Sequence, residues 1–253
     1  MKIVLLTALG VGGATLLGAL LGFIFKKMTH RAGDIILSFA AGVMLAAAVL
    51  GLVIPSVEYG GGGAKGLLVA VIGIFLGALT VNAFDKLVPH LHKLTGIDPE
   101  NGGKGGKADK VLLFVLAIAI HNLPEGIAAG VGFGTGNVAD GILIAVGIAL
   151  QNIPEGIAII APMLSAGIKP RRTFLIAAAT GAVEVVGTLF GYLAVTLSQV
   201  ILPWGLAFAG GTMIYIISDE MIPETHAHGS ERGATYALIV GFCLMLVMDV
   251  LLG

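Results

Sequence analysis

Two stretches of this sequence repeat one unusual set of side chains. Residues 121–128 read HNLPEGIA and residues 151–158 read QNIPEGIA, six of eight positions identical at a spacing of 30. His121 precedes Glu125 by four positions, and Gln151 precedes Glu155 by the same four. On a helix that spacing is one face. Asn122 and Asn152, one residue on, turn about 100° away from it. A third carboxylate, Glu184, stands in the next apolar run. Imidazole combined with carboxylate suits divalent first-row metals such as zinc. A calcium or magnesium site would not need the imidazole. Pro124 and Pro154 cannot donate to the carbonyls of Ile120 and Leu150. Each should kink its helix and free a backbone oxygen at the same depth.

The elements that must position these groups follow from composition. The chain has 253 residues, 57% hydrophobic and 11% charged, where a soluble domain has roughly 25% charged. That composition argues against a soluble globular enzyme and excludes a disordered chain. With a net charge of −1 there is no electrostatic footprint for nucleic acid. Cys243 is the single cysteine, so it forms no intrachain disulfide. The remaining class is an all-α polytopic membrane protein. Eight apolar runs meet the spanning length, at about 3–25, 34–54, 67–88, 110–131, 139–161, 173–197, 203–221 and 235–252. All must be helical, because open strands leave backbone groups unpaired in lipid. They form one transmembrane domain over 1–253, with a Gly- and Lys-rich loop over about 89–109. The first run follows Lys2 as a signal peptide would, but it is longer than the roughly 7–15 apolar residues of such a segment. It is expected to be a retained helix.

Lys and Arg set the orientation. Of 14, 12 fall on alternate connections, leaving only Lys2 and Lys65 on the other side. The positive-inside rule places the 12 in the cytoplasm and both termini outside. Consecutive spans run antiparallel, so the two PEG copies are inverted. Inverted repeats around a midplane site are a transporter pattern. GxxxG spacings at Gly18–Gly22, Gly73–Gly77, Gly126–Gly130 and Gly187–Gly191 allow close helix contact.

An acidic residue at a helix centre costs about 2.5–3.5 kcal/mol on insertion. Glu125, Glu155 and Glu184 share their spans with no Lys or Arg at similar depth. Together they would cost roughly 8–10 kcal/mol. They must be protonated or must hold a cation, and a site that alternates between the two is an ion pathway. Blander readings stand beside this. His121 could be a helix–helix hydrogen-bonder, Glu184 a structural group, and the asparagines partners for the freed carbonyls. A proton-coupled transporter of a non-metal substrate would use the same glutamates. An intramembrane hydrolase lacks support, since neither HExxH nor GxSxG occurs.

At these residues the chain resembles the ZIP (Zrt/Irt-like) metal transporters, in their prokaryotic branch. HNLPEG at 121–126 and QNIPEG at 151–156 carry the resemblance, with SFAAGVMLAA at 38–47, Glu184 and SDEMIPE at 218–224. It implies uptake of a divalent metal as substrate, zinc foremost, with cadmium, iron and manganese as others, and no cofactor or enzymatic activity. It further implies a two-metal site. The first ion would use His121, Glu125, Gln151 and Glu155, with Met44 nearby. The second would use Asn122, Glu125, Asn152, Glu155 and Glu184, with Glu125 and Glu155 bridging. Some members carry Asp in place of Asn152 and His in place of Gln151, which puts second-site affinity and metal preference in question. The implied fold relates helices 1–3 to helices 6–8 by inversion around helices 4 and 5. The implied assembly is a homodimer in the bacterial inner membrane. Helices 1, 4, 5 and 6 would move against 2, 3, 7 and 8 in alternating access.

An exit is expected on the cytoplasmic side, where Asp85, Asp219, Glu220, Glu224, His226 and His228 collect with His30, His90 and His92. Asp219 and Glu220, at the end of span 7, are its strongest members. A solvated His-rich loop is the plain alternative. On the outer side Glu58 and Asp249 could attract cations.

Overall fold

The computed structural model describes residues 1–25, 28–95 and 107–252, with side chains for all of these except 85–95, 107–118, 120 and 252. Among the described residues there are eight helices: α1 Lys2–Ile24, α2 His30–Tyr59, α3 Gly63–Thr95, α4 Lys107–Gly132, α5 Val138–Ser165, α6 Pro170–Leu197, α7 Ile201–His226 and α8 Glu231–Leu252. Among the described residues seven are long and apolar enough to cross a membrane. The other, α4, has its N-terminal half outside the described side chains. Two boundaries differ from expectation. Helix covers both ends of the expected 89–109 loop, since it is described through Thr95 in α3 and from Lys107 in α4. Polar residues end an apolar span without ending a helix.

The helices pack as α1 on α5, α4 on α6, α2 on α8 and α3 on α7. Exchanging 1 with 6, 2 with 7, 3 with 8 and 4 with 5 carries this set of pairs onto itself, as the inverted repeat requires. The relation is visible at the level of residues. FAAGVM at 39–44 and FAGGTM at 208–213 are 169 apart, and Gly12, Gly18 and Gly22 of α1 stand 169 before Gly181, Gly187 and Gly191 of α6. Gly12 and Gly181 meet each other backbone to backbone.

A second paired feature follows from proline. Pro55 and Pro223 lack the N–H that would serve the carbonyl four residues back. Each helix answers with a wider turn just before it, over Ala47–Val53 in α2 and Ile217–Met221 in α7. There the N–H of Ile54 bonds the Val49 carbonyl and that of Ile222 bonds Ile217, both five residues back. Such π turns recur at functional positions. They correct the placement of Asp219 and Glu220. These two lie within a π turn inside α7, which continues to His226, and not at a helix end.

The core is built of small and flexible side chains, with Ala40, Ala41, Met44, Ala128, Ile148 and Met213 all fully buried. The outward faces of α3 and α8 are apolar and exposed, through Leu67, Phe75, Val247 and Val250, as lipid contact demands.

Candidate metal centre

The site is assembled at mid-helix from α4, α5 and α6. His121, Asn122, Glu125, Gln151, Asn152 and Glu184 are buried, and Glu155 is half-buried. The glycine of each PEG motif explains how a third and fourth helix come so near. A Cβ on Gly126 would run into the carbonyl oxygen of Glu184, and one on Gly156 into that of Thr15. Both prolines lie inside continuous helices.

The donor groups separate into two compartments. The deeper one centres on Glu184, whose carboxylate accepts three hydrogen bonds. Thr15 Oγ1 donates to its Oε1 at 2.8 Å, Asn152 Nδ2 to its Oε2 at 2.7 Å, and Asn122 Nδ2 to Oε1. Committing both amide nitrogens to Glu184 fixes the asparagine orientations. It leaves Asn122 Oδ1 and Asn152 Oδ1 buried without a partner, as are Glu125 Oε2 and Gln151 Oε1. Buried oxygens are nearly always satisfied. The Gln151 amide nitrogen is unpartnered as well; the four orphaned oxygens are acceptors that a cation would satisfy.

The shallower compartment is a cavity of about 490 Å³. His121, Glu125 and Glu155 form its inner end; Asp219, Glu220 and Glu224 of α7 line it further out. His121 Nε2 lies 2.7 Å from Glu220 Oε1, an ion-pair distance without hydrogen-bond alignment. Three of the expected exit residues are thus brought to the central carboxylates. Others are not. His226 turns back on its own helix, with Nδ1 2.8 Å from the Ile222 carbonyl and Nε2 3.2 Å from Thr235 Oγ1. His228 pairs with Asp34. Asp85, His90 and His92 lie outside the described side chains. Met44 is fully buried in the apolar core and does not line the cavity. On the opposite face Glu58 and Asp249 share a separate pocket of about 220 Å³ with Asp140. Among the described residues no group of three or more His, Cys, Asp or Glu side chains is drawn tight enough to hold an ion as it stands.

Thr15 is the site residue that reading the sequence misses. Its signal is the 169-residue offset: Thr15 is the repeat counterpart of Glu184, and the two counterparts bond each other.

These features define a polytopic helical protein whose charge-bearing side chains converge at the middle of its helices. The family model described as "ZIP Zinc transporter" matches residues 103–249. "Zinc transporter GufA" of Myxococcus xanthus is 42% identical over 98% of both chains. "Zinc transporter ZIPB" of Bordetella bronchiseptica is 38% identical, over 95% of this chain and 78% of that one. "Zinc transporter ZIP11" of Homo sapiens is 35% identical over 95% and 94%. The chain belongs to the ZIP family of multi-pass membrane proteins.

Proposed function

We propose that this chain moves zinc, with other divalent metals as lesser substrates, across the plasma membrane into the cytosol. The orphaned oxygens of Asn122, Glu125, Gln151 and Asn152 carry this reading. Zinc passes from the deeper donors, through His121, Glu125 and Glu155, into the cavity lined by Asp219, Glu220 and Glu224. The cavity is lined by Leu37 and Ala227, near Arg31 and Arg232 at the same end of the bundle, which supports reading it as the cytoplasmic exit. Initial-rate zinc uptake by vesicles holding the purified protein tests the proposal, with cadmium, iron and manganese as competitors. Uptake no faster than in protein-free vesicles would reject it.

The packing supports alternating access by two sliding units, α1, α4, α5 and α6 against α2, α3, α7 and α8. Within each unit glycines bring backbone against backbone, as Gly18 meets Ile153, Gly130 meets Thr188, Gly42 meets Leu238 and Gly77 meets Phe208. Between units the contacts at glycine run through side chains, Gly147 on Met245, Gly205 on Val131 and Gly51 on Ile144. Side chains can repack during sliding, whereas interlocked backbones move together.

Two results are expected at this stage. His121→Ala removes the only nitrogen ligand of the centre. Uptake should fall by more than about 10-fold, the lower end of the loss seen when a group behind a metal ligand is removed, and preference should shift from zinc toward manganese, which favours oxygen. Competition assays on the variant would show it, and an unchanged preference would remove His121 from the ligand set. Metal binding must also displace protons held by its ligands. Uptake at subsaturating zinc should therefore fall steadily as external pH is lowered from 8 to 5.5; a flat profile would count against carboxylate ligation.

A further inference from the structure

Outside the central site one cluster combines metal-ligating residues with an unsatisfied buried group. His30 and Asp34 are four apart at the start of α2, hence on one face. Asp34 is only 6% exposed, and its Oδ2 is buried without a partner. His228, from the connection after α7, reaches its Oδ1 with Nδ1 at 3.1 Å. The rings of His30 and His228 stack at 5.0 Å with 25° between their planes. Two imidazoles and a carboxylate from two chain segments thus meet at one point. Both histidines are open to solvent at one side while the carboxylate is held in the protein. Leu37, one turn after Asp34, and Ala227, next to His228, line the central cavity. The cluster therefore stands just beyond the mouth of the cavity.

We propose that His30, Asp34 and His228 form a second divalent-metal site, a waypoint where a cation leaving the central cavity is held before release. Imidazole and carboxylate in a two-to-one ratio suit zinc and cobalt(II), which accept such sets with solvent completing the shell. Closing the site needs the stacked rings to rotate so that one nitrogen from each faces the free Oδ2. Arg31 and Arg232 line the neighbouring hollow beside Glu231. Their charge keeps the site weaker than the centre, as a waypoint requires. The waypoint role rests on the transport reading above; the ability to bind metal does not.

The test is a metal count on the purified full chain in detergent, by equilibrium dialysis with zinc and by the visible absorption of added cobalt(II). Wild-type protein should bind about one ion per chain more than His228→Ala or His30→Ala, and Glu125→Ala should retain the solvent-side ion with its cobalt band. His30→Ala is decisive, since among the described residues the His30 ring makes the stack with His228 and no side-chain hydrogen bond. A mere structural Asp34–His228 contact would leave the His30→Ala count equal to wild type, and that result overturns the proposal. Equal counts in all four proteins overturn it too. A wild-type protein that shows the extra ion but no vesicle uptake would sustain the site and defeat the transport reading.

Discussion

Replacing Glu125 with alanine should reduce zinc uptake by more than about 100-fold, beyond the range seen when groups behind a metal ligand are removed. The same change should not weaken the metal-free protein. Glu125 is buried with Oε2 unpartnered, on a helix face shared with His121 and opposite Glu155. Its deletion removes a burden that costs about 2.5–3.5 kcal/mol in lipid. A ligand that binds only the folded state stabilises it by mass action. Zinc should therefore raise the thermal midpoint of the wild type, and raise that of Glu125→Ala less, through the solvent-side site alone. Thermal scans with and without zinc, alongside uptake, separate the two roles. A variant that is destabilised without metal and responds to zinc as fully as the wild type would make Glu125 a structural group.

Gly126→Ala should damage the protein through geometry alone. The added Cβ meets the backbone oxygen and Cα of Glu184, neither of which can swing aside. Overpacking of this kind costs about 1–3 kcal/mol where neighbours can shift. Here the shift carries α6 away from α4. That pulls the Glu184 carboxylate from Asn122, Asn152 and Thr15. Uptake should fall at least tenfold, with a lower thermal midpoint. Gly13→Ala is the control, because nothing lies within 4 Å of a Cβ there; it should behave as wild type. Equal behaviour of the two variants would show that the glycine seam does not set the site.

Much of this was legible in the sequence because membranes impose few solutions. Spans follow from apolar length, and paired PEG copies stand out where any carboxylate is costly. The GxxxG spacings all proved to be packing seams: Gly18, Gly73, Gly126 and Gly187 each sit against a neighbouring helix. What escaped depends on register between distant segments. A threonine in an apolar run ordinarily bonds its own helix, as Thr180 does with Ala177. That Thr15 instead serves Glu184 becomes visible only once α1 is laid on α6. The π turns also escaped, since apolar periodicity does not show which carbonyl an N–H selects. They place Asp219 and Glu220 on the cavity wall, where a helix end had been expected. Histidine content misled in the other direction: His226 spends both ring nitrogens on Ile222 and Thr235.

The central claim is that acids held deep in the bundle are matched by the dication they carry. Purified protein sealed into vesicles, given a zinc gradient and a zinc-sensitive dye trapped inside, tests it most directly when Glu125→Gln and Glu155→Gln are run together in one chain. Those changes keep shape and remove only charge. Wild-type vesicles should fill and the doubly neutral ones should stay at the level of empty lipid. Filling at the wild-type rate by the neutral protein would contradict the account.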